Sequence, residues 1–249
     1  MLGVYFSGTG NTKYCVETFV RQFDPSAYIV SIEDPSVVDK IKSQDIIVFG
    51  YPVYFSNLPK IVHDFIVNNQ KCFYGKKIYI IATMAFFSGD GTGCAARLFD
   101  SAHILGGLHL RMPDSISDSP ILKTSYKANK KMINRAKEKI GIAVSRLKEN
   151  NPHKDGLSIF NRVSGLLLQR LWFRNAVSSY KKKPVINTNK CTGCGLCSKL
   201  CPTKNIFVEE KAISHDRCTL CYRCVNNCPE KALTVLGEKV YGQYLFKNF

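Results

Sequence analysis

FSGTGNTK, residues 6–13, closes the apolar run LGVYF (2–6) and, apart from its first and last residues, consists only of Ser, Gly, Thr and Asn. That is loop chemistry at the point where a strand hands over to a helix. A turn so placed is an anion site, because free backbone N–H groups and the positive helix end both face what the loop encloses. A Walker A loop needs G-x-x-x-x-G-K-[ST], which neither Gly8 nor Gly10 begins. A dinucleotide fingerprint needs a third glycine where this chain has Lys13. A terminal phosphate monoester suits the side chains better, since Ser7, Thr9, Asn11 and Thr12 offer hydroxyl and amide donors to its several oxygens.

The flanking sequence supplies the frame. LGVYF (2–6), YIVSI (28–32), DIIVFG (45–50), KIYIIATM (77–84) and LHLRM (108–112) read as strands, several apolar without a break, as when both sheet faces are covered. Helical patterns near 11–22, 59–68, 92–105 and 125–149 alternate with them. Strand and helix in repetition predict an α/β fold with a doubly wound, parallel, five-stranded sheet over residues 1–150. With 249 residues there is room for this domain and a smaller one.

After the break NPHKDG (151–156), residues 151–183 read as a basic amphipathic linker helix, with Ile159, Phe160, Val163, Leu166, Leu167, Leu171 and Val177 at roughly helical spacing. Lys181, Lys182, Lys183 and Pro184 mark entry to a small α+β domain over 184–235, followed by a tail, 236–249. That domain repeats internally at an offset of 27 residues: CTGCGLCSKLCP (191–202) and CTLCYRCVNNCP (218–229). Both fit C-x2-C-x2-C-x3-C-P, whose three close cysteines hold one 4Fe-4S cluster and whose fourth reaches the other. On that rule Cys191, Cys194, Cys197 and Cys228 serve one cluster, and Cys218, Cys221, Cys224 and Cys201 the second. Zinc also uses C-x2-C pairs, but eight cysteines and two prolines in register favour the clusters.

Residues 184–235 therefore resemble a two-cluster bacterial ferredoxin, a family that passes single electrons at low potential. SGTGNT in turn resembles the flavodoxin FMN-phosphate loop, through Ser7, Thr9, Gly10, Asn11 and Thr12. That likeness implies that FMN lies at the carboxyl ends of the strands. The loops after the third and fourth strands, YPVYFSNLP (51–59) and MAFFSGDGTG (84–93), would then face its ring. Their candidates are Pro52, Val53, Tyr54, Phe55 and Asn57, with Met84, Ala85, Phe86, Phe87, Ser88, Gly89 and Gly91. The only tryptophan, Trp172, lies outside this domain, and the ring-edge loop is not acidic, unlike the usual flavodoxin pattern. The whole chain resembles a fusion of a flavodoxin-like domain with a two-cluster ferredoxin.

The formal net charge is +16, and residues 121–183 hold 16 Lys and Arg against three acids. Residues 184–235 carry seven basic residues against four acidic ones, where such ferredoxins are commonly acidic. A redox protein of acidic surface is the expected partner; peripheral membrane contact through 157–183 stays open, and the sparse aromatic interleaving speaks against nucleic acid. No run of about 18 apolar residues occurs and no export signal is visible, so a cytoplasmic setting is expected. Cys15, Cys72 and Cys94 read as core thiols, and no nucleophile, base and orienter set can be assembled. The expected function is electron transfer between the clusters and FMN; the alternative is an FMN-dependent reductase of a small quinone-like or conjugated acceptor fed by its own ferredoxin domain.

Overall fold

The computed structural model describes residues 1–86, 89–158 and 183–249. They fall into two units. The first comprises Met1–Ser7, Asn11–Pro113 and the described part of Lys127–Phe173; the second comprises Gly8–Gly10, Asp114–Tyr126 and the described part of Arg174–Phe249.

The first unit is built on β1 (Leu2–Tyr5), β2 (Tyr28–Ser31), β3 (Ile46–Pro52), β4 (Lys77–Met84) and β5 (His103–Arg111). They form one parallel sheet in the order β2-β1-β3-β4-β5. The chain moves outward in one direction to β2 and in the other to β3, so the carboxyl ends of β1 and β3 flank the point where strand order reverses. The continuous apolar runs of β3 and β4 are covered on both faces: every residue from Ile47 to Tyr51 and from Ile78 to Met84 is buried.

The helices of this unit are α1 (Asn11–Phe23), α2 (Val37–Lys42), α3 (Lys60–Asn68), α4 (Gly91–Ala96) and α5 (Tyr126–Lys148). In α1, Thr12, Cys15, Val16, Phe19 and Val20 repeat at intervals of three and four and are buried, so the helix turns one apolar stripe to the sheet. Phe19 stacks on Tyr79 of β4 with ring centroids 4.7 Å apart. Near the middle of the sheet Phe49 meets Phe99 edge-on at 5.3 Å and Phe73 at 6.2 Å. Cys15, Cys72 and Cys94 are all buried.

Two features depart from the sequence reading. The helix expected over 92–105 stops at Ala96, because the chain turns to drop Phe99, 2% exposed, into that aromatic core. The fifth strand begins at His103 instead of Leu108. Its Gly106–Gly107 pair looks like a turn in sequence, but serves close approach by another backbone segment. A Cβ on Gly106 would lie 2.5 Å from the His153 carbonyl, and one on Gly107 2.7 Å from that of Asp155. The Gly107 N–H donates to His153 O and the Asp155 N–H donates to Gly107 O, so residues 153–155 extend the sheet edge. The linker helix expected over 151–183 falls, from 159 to 182, outside the described residues.

The second unit holds two short antiparallel pairs, β6 (Val185–Ile186) with β9 (Leu233–Thr234), and β7 (Ile206–Val208) with β8 (Ala212–Ser214). Helices α6 (Leu196–Leu200) and α7 (Arg223–Asn227) each start inside a cysteine ladder. Asp114–Tyr126, which follows β5 in sequence, is sewn into this unit. Asn226 Nδ2 donates to Ser115 O at 2.9 Å, the Ser117 hydroxyl donates to Asn226 Oδ1 at 2.6 Å, and the Tyr241 N–H donates to Ser117 O at 2.8 Å. Among the described residues, no helix is long and apolar enough to cross a membrane.

Candidate functional site

In the first unit the carboxyl ends of β1, β3 and β4 carry the three loops singled out from sequence. Ser7 and Asn11 are half-buried and Thr12 is buried. Asn11 heads α1 and its Nδ2 donates to Pro113 O at 2.9 Å; the Thr12 and Thr83 hydroxyls share a hydrogen bond of 2.7 Å. Thr83, near the end of the apolar run of β4, escaped the sequence reading; it also accepts, through its carbonyl, the Val53 N–H at 2.8 Å. The loops after β1 and β3 are therefore both tied to the end of β4.

After β3, Tyr54 and Asn57 exchange backbone hydrogen bonds of 2.9 and 3.0 Å around a tight turn. Phe55 and Ser56 at its tip both have positive φ, 49° and 58°. Non-glycine residues in that region cost of order 1–3 kcal/mol each and concentrate at ligand clamps and switches. After β4, Met84 is buried, Phe86 is 60% exposed, and Gly89 and Gly91 are buried. Phe87 and Ser88 lie outside the described residues. The Tyr51 hydroxyl donates to Gly91 O, and buried Asp90 pairs with Arg97 at 2.8 Å, which fixes the start of α4.

Gly8–Gly10, the tip of the first loop, groups with the second unit. There the Phe246 N–H donates to Thr9 O at 2.9 Å. Gly10 has φ 106°, and a Cβ on it would lie 2.7 Å from the Phe246 Cβ, so both conformation and space require glycine.

The eight ladder cysteines of the second unit border two cavities. One, of about 330 Å³, is lined by Cys191, Cys194, Cys197 and Cys228; the other, of about 340 Å³, by Cys201, Cys218, Cys221 and Cys224. Among the described residues no three His, Cys, Asp or Glu side chains are placed to hold a single metal ion. Backbone N–H groups point at the sulfurs: Ala212 to Cys191 at 3.4 Å, Ala232 to Cys228 at 3.3 Å, Asn205 to Cys201 at 3.2 Å and Leu220 to Cys218 at 3.4 Å. The buried Thr219 hydroxyl, beside the second cavity, has no partner among the described residues. Burial pushes the Cys218 thiol up to about 11 and the Cys221 thiol up to about 12, and holds Cys224 well above its ordinary value. Thiolates in such walls need positive charge in the cavity.

Comparison with known proteins agrees with both units. Residues 2–92 match the family described as Flavodoxin domain, and residues 183–229 the family described as 4Fe-4S dicluster domain. Among solved structures the chain is similar to two-electron reduced Megasphaera elsdenii flavodoxin, at 23% identity over 58% of this chain and 99% of that one, with a TM-score of 0.43. It is also similar to a flavodoxin from the domain Archaea, at 14% identity over 59% and 97% of the two chains, with a TM-score of 0.42. The Trp repressor binding protein of Bacillus subtilis gives 18% identity over 59% and 97%, with a TM-score of 0.43. No curated protein matches the chain. The chain thus has an N-terminal flavodoxin domain and a C-terminal 4Fe-4S dicluster domain. That pairing points to electron transfer as the class of function.

Proposed function

We propose that this chain is an iron-sulfur flavoprotein that passes electrons between two 4Fe-4S clusters and FMN, and so between a low-potential donor and a redox partner. The observation that carries the reading is the pair of near-equal cavities, each walled by three cysteines of one ladder and the last cysteine of the other. A wall of four thiols with N–H groups aimed at sulfur, plus an unpartnered buried hydroxyl, suits an anionic cluster whose sulfurs accept hydrogen bonds.

For the flavin, the contiguous loop Ser7–Thr12 supplies the donors. The hydroxyls of Ser7, Thr9 and Thr12, the Asn11 amide and the first N–H groups of the 13-residue α1 suit a phosphate monoester. Pro52, Val53, Tyr54, Phe55 and Asn57 after β3, with Met84, Ala85, Phe86, Phe87, Ser88, Gly89 and Gly91 after β4, would hold the ring. Bound there, FMN supplies the exchange between one-electron and two-electron chemistry. The chain's own part is to bind, orient and shield. The strained Phe55–Ser56 turn presents an aromatic side chain on a two-residue tip, and the hydrogen bond between the Thr12 and Thr83 hydroxyls, with that from the Val53 N–H to Thr83 O, ties two loops to the end of β4. Joining the carriers in one polypeptide raises the effective concentration of each at the other.

The partner proposed is an acidic redox protein. On α5, Lys127, Lys130, Lys131, Arg135 and Lys137 are exposed, and none of them pairs with a carboxylate among the described residues. A cationic helix face of this kind steers an oppositely charged protein toward it.

Anaerobic purification followed by iron and flavin assay tests the cofactor content, with about eight irons and one FMN expected per chain. A chain that binds neither iron nor added FMN would overturn the reading.

A further inference from the structure

Asp118 lies in the segment Asp114–Tyr126 of the second unit and is 1% exposed. Its Oδ1 accepts from the Tyr222 hydroxyl at 2.8 Å. Its Oδ2 accepts from the N–H groups of Val235 at 2.5 Å, Leu236 at 2.9 Å and Gly237 at 3.2 Å. Four donors converge on the two oxygens, the surroundings of an anion. Among the described residues no Lys, Arg or His forms an ion pair with it. Among the described residues its partners are therefore hydrogen-bond donors and not cations.

Two of its four donors belong to residues that wall one cysteine cavity. Tyr222 and Val235 line the cavity of Cys201, Cys218, Cys221 and Cys224, whereas neither they nor Leu236 nor Gly237 lines that of Cys191, Cys194, Cys197 and Cys228. The N–H groups aimed at sulfur do not distinguish the cavities, since both have them. Asp118 does.

The internal repeat shows where the two ladders differ at this contact. The 27-residue offset pairs Tyr222 of the second ladder with Gly195 of the first. Both are left-handed, with φ 56° for the tyrosine and 77° for the glycine. Glycine enters that region freely, while a tyrosine there bears strain that its surroundings must hold. What holds Tyr222 is Asp118 at its hydroxyl and the Asn226 N–H and Nδ2 at its carbonyl, each at 3.0 Å. The second ladder thus keeps two left-handed residues, Leu220 and Tyr222, where the first uses Gly193 and Gly195, and of the two it is Tyr222 that reaches the buried carboxylate.

We propose that Asp118 sets the potential of one cluster, the one bordered by Cys201, Cys218, Cys221 and Cys224, and so makes the two cluster couples unequal. The inference rests on the reading of the cavities as cluster sites. Reduction adds one electron from a one-electron reductant such as a reduced viologen, with no bond made or broken, and a buried anion behind the cavity wall opposes the added charge through a poorly screening interior. Asp118 is a positioning residue that acts through field and wall geometry and not as a ligand.

The test is a redox titration of the cofactor-loaded chain, followed by electron paramagnetic resonance of the reduced clusters, for wild type and Asp118→Asn. The variant is expected to retain about eight irons. One cluster couple should move to higher potential by a tenfold change in its reduced-to-oxidised ratio, about 59 mV for one electron. The other couple should stay in place, and the shift should persist at 1 M salt, where exposed charges are screened within about 3 Å. Two unmoved couples, or two couples moved alike, in an iron-complete variant would overturn the proposal. Should Asp118→Asn fail to hold iron, Tyr222→Phe keeps the carboxylate and removes its hydroxyl donor. The same couple should then move to lower potential by several-fold in that ratio, and an unmoved couple would count against the proposal. A wild-type chain without iron sinks the underlying cavity reading instead, and shows itself before any potential is measured.

Discussion

Cys201→Ser should cost the chain the cluster that the second ladder's cysteines border, leaving the other cluster in place. Cys201 stands four residues after Cys197 in the first ladder, yet lines the cavity of Cys218, Cys221 and Cys224. Iron content should fall from about eight to about four per chain. The resonance that disappears should match the one lost in Cys218→Ser and differ from the one lost in Cys197→Ser. The physical reason is that a serine hydroxyl is a poor substitute for a soft thiolate, so an iron loses its anchor. Loss of the same resonance in Cys201→Ser and Cys197→Ser would contradict the crossed grouping.

Acid should weaken the flavodoxin unit through His109. On β5 its Nε2 accepts the Thr92 N–H at 3.2 Å, and its own backbone N–H donates to Asp155 Oδ2 at 3.1 Å. Burial lowers its pKa from 6.5 to about 4; the charge of Asp155 works to raise it, and that of Lys139 to lower it. As pH falls below 6.5 the unfolded chain takes up a proton that the folded chain refuses until about 4. Stability is thus lost on acidification across that window, by about 2 kcal/mol between pH 7 and 5. His109→Gln keeps an acceptor for Thr92 and cannot charge. Hydrogen exchange of the β4 and β5 amides, read against pH, should show wild type losing protection that the variant keeps. Equal slopes for the two proteins would show that His109 does not carry the acid sensitivity.

Asp155 adds to the same response at lower pH. Burial works to raise its pKa, but hydrogen bonds from Lys139 and the His109 N–H, with the Lys139 charge, hold it below the usual carboxylate range. Its stabilisation is present above the unfolded carboxylate pKa and is lost as pH falls through the depressed folded value.

Local patterns were readable from the sequence, and long-range partners were not. The unbroken apolar runs of β3 and β4 announce strands covered on both faces, and the ladder spacing announces a cluster domain, because both signals lie within a dozen residues. The early start of β5 was hidden, since Gly106–Gly107 resembles a turn until the chain at 153–155 is seen against it. The left-handed pair Phe55–Ser56 has no sequence signal at all, as neither residue favours that backbone region. Asp118 and Tyr222 are 104 residues apart, and nothing in DSISDSP marks its second aspartate as the buried one. The basic segment 121–183 was legible as charge, but composition alone does not say what it meets.

The central claim is that the clusters and the flavin exchange electrons within one chain. Rapid anaerobic mixing of the oxidised, cofactor-loaded protein with a one-electron reductant, with iron-sulfur and flavin absorbance followed together, tests it most directly. The account predicts that cluster absorbance bleaches at a rate proportional to reductant concentration, and that flavin absorbance then falls in a phase independent of that concentration. Clusters that stay reduced while the flavin bleaches only in proportion to added reductant would contradict it.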